Sequence, residues 1–124
     1  MKNFVLFTNY ERDKEMKVTN MILDYLEKKG CRCSLPPYVP GNEDGEVEHY
    51  DLSAVTDDVE CALTLGGDGT LLLAARNMYW REVPVMGINL GHMGFLTSVE
   101  TGALPECLDK LIADDYYIDD RMMI

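Results

Sequence analysis

The segment Leu63-Thr64-Leu65-Gly66-Gly67-Asp68-Gly69-Thr70-Leu71-Leu72 constrains the fold more than any other part of the chain. An apolar run of strand length passes through a glycine-rich turn straight into a helical pattern. Parallel sheets need this order, because each strand must be followed by a crossover, usually a helix. The alternation continues on both sides of the segment. Asn3 to Thr8 reads as a strand. Val18, Met21, Ile22, Tyr25 and Leu26 then form one helical stripe, closed by Gly30 in the C′ position. Cys31 to Leu35 reads as a short second strand, ended by Pro36-Pro37. Val59 to Leu65 is the strand entering the glycine turn. Leu71 to about Trp80 is the helix leaving it, with Leu72, Ala75 and Tyr79 at helical spacing. Val83 to Ile88 is the next strand. Leu104, Cys107, Leu108, Leu111 and Ile112 make an amphipathic helix with Pro105 in its first turn, and Tyr116 to Ile124 reads as extended. The prediction is an α/β domain: a mostly parallel sheet with helices on both faces.

Residues 36–57 interrupt the pattern. Pro36, Pro37, Pro40, Gly41, Asn42, Glu43, Asp44, Gly45 and Glu46 predict a polar surface loop or a disordered insert, and composition allows either. The 124-residue length corresponds to one domain, and a hydrophobic content of 47% is enough for a core. No run approaches the roughly 20 apolar residues of a membrane helix. The apolar start Phe4-Val5-Leu6-Phe7 lacks the length and cleavage site of a signal peptide. A cytoplasmic protein with reduced thiols is therefore expected. Cys31 and Cys33 form a C-x-C rather than a zinc-type C-x-x-C, and Cys61 and Cys107 sit in apolar patterns as small core residues, so no metal site is assigned. The net charge of −11 argues against nucleic acid or an anionic membrane as partner. A small phosphorylated ligand remains compatible, because backbone N–H groups hold phosphate locally.

In open α/β sheets ligands bind outside the carboxyl ends of the strands, which is where the glycine turn lies. Glycines admit close backbone approach and left-handed backbone angles, and a helix start offers unpaired N–H groups. Asp68 is out of place in a plain phosphate loop, since its charge opposes phosphate. Two roles are open to it: accepting a proton from an attacking hydroxyl, or capping the helix, a role also open to Thr70. The turn matches neither G-x-x-x-x-G-K-[ST] nor G-x-G-x-x-G, and no lysine lies between Lys29 and Lys110. Phosphate contacts must then come from Gly66, Gly67, Thr70 and neighbouring backbone, from Arg76 or Arg81, from a metal, or from another domain. His92 has two readings, a titrating group beside a glycine turn and a loop histidine bonded to backbone. His49 has only a surface-loop reading.

Gly66-Gly67-Asp68-Gly69-Thr70 resembles the GGDGT signature of a kinase superfamily that includes NAD kinases, phosphofructokinases, and diacylglycerol and sphingosine kinases. Gly87-Ile88-Asn89-Leu90-Gly91-His92-Met93-Gly94-Phe95-Leu96-Thr97 is similar to the G-I-N-x-G-x-L-G-F-L-T stretch of NAD kinases, and Asp119-Asp120-Arg121-Met122-Met123 to the E-E-R-x-M-L run entering their second domain. The resemblance implies a phosphofructokinase/NAD-kinase-like front domain over residues 1–118, with 119–124 starting a second domain. It implies transfer of the ATP γ-phosphoryl group, with a divalent metal such as magnesium, to the 2′-hydroxyl of the adenosine ribose of NAD. Asp68 would be the base, Gly69 a close backbone contact to the dinucleotide, and Leu72 and Phe95 contacts to its adenosine end. Stacking on a base is worth roughly 1–3 kcal/mol, although Phe95 also reads as a core side chain. Leu73 departs from the His or Arg of many members, and Arg76 one turn on is the substitute. The resemblance also implies homo-oligomers, and it leaves open ATP or polyphosphate as donor. The family's second-domain Asn-Glu or Asn-Asp pair and T-P-T-G-S-T-A-Y stretch do not occur in this sequence. The apolar end Met122-Met123-Ile124 agrees with a front piece of a longer protein, or with a docked last strand. A lipid kinase of the same superfamily and a non-enzymatic α/β binding domain are the competing readings.

Overall fold

A computed structural model of the chain describes residues 1–13, 15–89, 99–100 and 104–114. Phe95, His92 and residues 115–124, with the proposed second-domain start, lie outside these. Strand β1 (Asn3–Thr8) leads to helix α1 (Lys17–Lys28) and strand β2 (Arg32–Ser34). A small hairpin follows, β3 (Tyr38–Val39) and β4 (His49–Tyr50). Then come β5 (Cys61–Gly66), α2 (Asp68–Asn77), β6 (Val85–Asn89), β7 (Val99–Glu100) and α3 (Leu104–Ile112). The main sheet runs β2-β1-β5-β6-β7, and each neighbouring pair is parallel. The α/β expectation is met, and the short edge strand β7 adds to it.

All six residues of β1 and of β5 are buried, because both strands are central and covered on both faces. Side chains alternate between the faces. Phe4, Leu6, Leu63, Leu65 and Ile88 meet Ile22 and Leu26 of α1 and Leu104, Leu108 and Leu111 of α3. Val5, Phe7 and Ala62 meet Leu73, Ala74 and Met78 on the other face. Each fully buried aliphatic or phenylalanine side chain contributes about 1.5–3 kcal/mol. Gly30 closes α1 at φ 78°, as its C′ position predicts.

The helix after the glycine turn differs from its sequence reading. It begins at Asp68 rather than Leu71 and ends at Asn77, followed by a 3-10 turn over Tyr79–Arg81. Its buried residues are Thr70, Leu71, Leu73 and Ala74, while Leu72 and Tyr79 are exposed. Three consecutive leucines fit more than one helical face, and the sheet selects Leu71 and Leu73.

Residues 36–57 also depart from expectation: much of this stretch is docked. Tyr50 is buried, donates its hydroxyl to the Thr8 carbonyl at 2.7 Å, and meets the Phe7 ring edge-on at 4.9 Å. Its backbone N–H donates to Asn77 Oδ1 at 2.8 Å, and Val55 and partly buried Leu52 join the same core. Burial pushes the Tyr50 phenol up, so it stays protonated and keeps donating. The glycines and acids of Gly41–Glu46 form only the tip of the hairpin. Cys31, Cys33, Cys61 and Cys107 are free thiols; Cys31 and Cys61 are buried, and Cys107 is only half-buried. Burial pushes Cys33 and Cys61 up to about 12, far from reactive thiolates.

Helix α1 is anchored from upstream by Asp13. Met16, at the N-cap position, has a left-handed φ of 58° and makes no side-chain cap bond. Buried Asp13 serves instead, its Oδ2 accepting from Thr19 N at 2.8 Å and Thr19 Oγ1 at 2.6 Å, and its Oδ1 from Val18 N at 3.3 Å. Burial pushes this carboxyl up, but the bonds from Thr19 and the Val18 and Lys17 backbone outweigh it and hold the pKa below 3.8. A lowered folded-state value stabilises the ionised form. The contribution is complete above 3.8 and is lost as pH falls through the lower folded value. Asp13→Asn should therefore cost about 1–3 kcal/mol at pH 7 and progressively less toward pH 2. Urea denaturation across that range measures both; a pH-independent difference would contradict the assignment.

Candidate functional site

The site is built where β1 and β5 end side by side. Strand β5 closes at Gly66, Gly67 takes the N-cap position of α2, and the Leu71 N–H donates to the Gly67 carbonyl at 3.1 Å. Gly67 has φ −133° and ψ −161°, and none of Gly66, Gly67 and Gly69 has a positive φ. The turn therefore uses the missing Cβ of glycine rather than its left-handed freedom. A Cβ at Gly66 would lie 2.5 Å from Thr70 Oγ1 and 3.0 Å from Asn9 Cβ. The Thr70 hydroxyl accepts a hydrogen bond from Asn9 Nδ2 at 3.3 Å, which ties the first turn of α2 to the end of β1.

Asn9 organises the turn after β1. Its backbone N–H donates to the Leu65 carbonyl at 2.9 Å. Its carbonyl accepts from the N–H groups of Arg12 at 3.1 Å and Asp13 at 3.0 Å. Its Oδ1 accepts from the N–H groups of Glu11 at 3.1 Å and Arg12 at 3.2 Å. Wound this way, the turn lays the Arg12 guanidinium against the glycine turn. A Cβ at Gly67 would lie 3.4 Å from Arg12 Nη1, 3.7 Å from Cζ and 3.9 Å from Nη2. Three similar distances place the planar group broadside to Gly67.

Asp68 is the first residue of α2 and half-buried, in the first turn where a negative charge suits the helix dipole. The N-cap position itself belongs to Gly67, which has no side chain to make a cap bond. Thr70 is buried and bonded to Asn9. Asp68, Leu72 and Arg76 follow at i, i+4 and i+8 and share one helix face; Leu72 and Arg76 on it are exposed. The helical rise places Arg76 about 12 Å beyond Asp68. Leu73 packs in the core with Phe7 and Tyr50, so its side chain is accounted for by packing. Gly69 is exposed, with nothing within 4 Å of a Cβ placed on it. Among the described residues, neither the backbone nor packing requires glycine there.

The second glycine-bearing stretch starts beside the first, since Gly66 pairs in register with Asn89 at the end of β6. Arg81 serves elsewhere, donating to the carbonyls of Thr56 at 2.8 Å and Val55 at 3.3 Å, in the segment leading into β5. His49 bonds the nearby Val47 carbonyl through Nδ1 at 2.9 Å, in keeping with a surface role. Among the described residues no three His, Cys, Asp or Glu side chains are grouped to hold a metal, and no helix is long and apolar enough to cross a membrane. Asn9 and Arg12 carry no motif in the sequence. The signal for them is topological: β1 adjoins β5 in a parallel sheet, so the turns that follow the two strands share one edge.

Fold and site together define a doubly wound α/β domain of the class that binds ligands at the carboxyl edge of its sheet, here with a carboxylate set in a glycine turn. Comparison with known proteins narrows the class. Residues 4–116 match the family model for the ATP-NAD kinase N-terminal domain. The whole chain is 38% identical over 124 residues to a protein of Lachnoclostridium phytofermentans named NAD kinase, covering 42% of it. It is 39% identical over 125 residues to an NAD kinase of Agathobacter rectalis, again along the whole chain and 43% of the relative. A third NAD kinase, from Lachnospira eligens, is 36% identical over 126 residues, the whole chain and 42% of the relative. The chain belongs to the ATP-NAD kinase family and corresponds to its N-terminal domain, spanning about two fifths of the length of these relatives.

Gly66 and Gly69 should respond oppositely to alanine. Gly66→Ala should destabilise by about 1–3 kcal/mol, because Thr70 and Asn9 must move to admit the methyl group. Gly69→Ala should leave stability unchanged or raise it by about 0.5–1 kcal/mol, the helix-propensity gain. Thermal melts of the two variants check this, and an unaffected Gly66→Ala would contradict the geometry.

Proposed function

We propose that this domain supplies the catalytic base and one wall of the nucleotide pocket of an NAD kinase, with the remaining length of the protein supplying the rest. The carrying observation is a carboxylate at the first position of a helix, on the carboxyl edge of a parallel sheet, in a chain of this family. In the proposed reaction the 2′-oxygen of the adenosine ribose of NAD bonds to the γ-phosphorus of the donor. The bond from that phosphorus to its bridging oxygen breaks, ADP leaves when the donor is ATP, and Asp68 takes the hydroxyl proton. Such transfers depend chiefly on positioning and charge, so a base that is fixed in place contributes through geometry. Gly69 fits close approach of the dinucleotide, in keeping with a glycine that no described residue packs against. Exposed Leu72 fits an apolar contact to the adenosine, and Phe95 is assigned to the same end. Gly66, Gly67 and Thr70 shape the turn, and Arg76 offers a positive charge further along the helix.

A divalent metal such as magnesium, when bound, neutralises charge on the transferring phosphates. The site fits one held mainly by phosphate oxygens and water, a mode that needs only one or two protein carboxylates, and Asp68 stands at the turn. Residues 1–118 form the first domain in this reading, with 119–124 opening the second, and the complete protein works in the cytoplasm as a homo-oligomer. In that protein Asp68→Asn keeps size and hydrogen bonding but removes the base. NADP formation should fall by about 10²–10⁴-fold, the usual worth of a general base, while the melting temperature moves little. Near-normal turnover would refute the assignment.

A further inference from the structure

A phosphate-binding edge that carries its own aspartate needs a compensating cation, and the glycine turn contains none. No lysine occurs between Lys29 and Lys110. Arg81 is committed to the Val55 and Thr56 carbonyls, and Arg76 is displaced along α2. Among the described residues, Arg12 is the cation that the fold brings to the turn, broadside to Gly67 and one residue from Asp68.

We propose that Arg12 is a nucleotide-polyphosphate-binding residue of this site, delivered from the turn after β1 and held in place by Asn9. The inference rests on the kinase reading for its choice of ligand. Its placement is built in. The Arg12 N–H is shared between the carbonyl and Oδ1 of Asn9, whose Nδ2 grips Thr70. Immediately after Arg12, Asp13 anchors α1, so the turn is fixed at both ends. The Arg12 side chain is nonetheless exposed. It is also engaged within the chain, which preorders the group, and five N–H donors allow a guanidinium to serve an internal partner and a phosphate together. Its planar fork matches two phosphate oxygens, which a lysine cannot do. Gly67 borders the guanidinium, and a Cβ there would come only into ordinary van der Waals contact with it. The positive charge lowers the repulsion an incoming polyphosphate meets from Asp68 and from the −11 net charge of the chain.

The test uses the full-length protein with Arg12→Gln and Arg12→Lys. Binding of ATP and of NAD is measured separately by calorimetry at two salt concentrations, beside the two KM values and a thermal melt. Arg12→Gln should weaken binding of at least one nucleotide about tenfold or more and flatten its salt dependence, with an unchanged melting temperature. Arg12→Lys should recover part of the affinity. Loss confined to ATP assigns the donor triphosphate, and loss confined to NAD assigns the dinucleotide diphosphate; both support a polyphosphate contact. Wild-type affinity for both nucleotides in Arg12→Gln would overturn the proposal, as would a loss matched by a fall in melting temperature and not eased by lysine. The kinase reading fails separately. A wild-type protein that forms no NADP but binds ATP in an Arg12-dependent way would refute that reading and leave this one standing.

Discussion

The parallel pairing of β1 with β5 underlies everything else in the domain. Both strands are buried along their whole length, so neither face of the sheet can be left to water. That requirement places α1 and α3 on one side and α2 with the β3–β4 hairpin on the other. Because the strands run in the same direction, their carboxyl ends coincide, and two turns distant in sequence become one edge. The Asn9–Leu65 and Asn9–Thr70 hydrogen bonds are consequences of that alignment.

The glycine turn shows a division of labour among chemically identical residues. Gly66 is demanded from within, by Thr70 and Asn9, and Gly67 leaves room for the Arg12 guanidinium. At Gly69 no described residue comes near an added Cβ, so among the described residues packing does not demand glycine there. Asp68 stands between two glycines, Gly67 beside the Arg12 guanidinium and Gly69 on the exposed surface. A carboxylate fixed by the backbone of a helix start keeps its position without long side-chain torsions, and phosphoryl transfer depends on such positioning.

Legibility differed by element. The bounds of β1, the C′ role of Gly30 and the extent of α3 were readable because short-range periodicity and a single glycine decide them. The docked hairpin was hidden, since the polar tip at Gly41–Glu46 masks Tyr50, Leu52 and Val55, which pack in one cluster with Phe7 while Asn77 accepts from the Tyr50 N–H. The buried face of α2 was misread because Leu71, Leu72 and Leu73 satisfy competing stripes.

By itself the sequence determined the α/β class, the order of the main strands and helices, and the residue types at the glycine turn, Asp68 among them. These follow from local steric and periodic rules that act over a few residues. Only the tertiary structure decided that Asn9 clasps Thr70 and that Arg12, rather than Arg76 or Arg81, lies against the turn. Strand adjacency is a property of the whole sheet, settled by which apolar faces can be covered together. Contacts across an edge therefore leave no spacing in the chain from which they could be read.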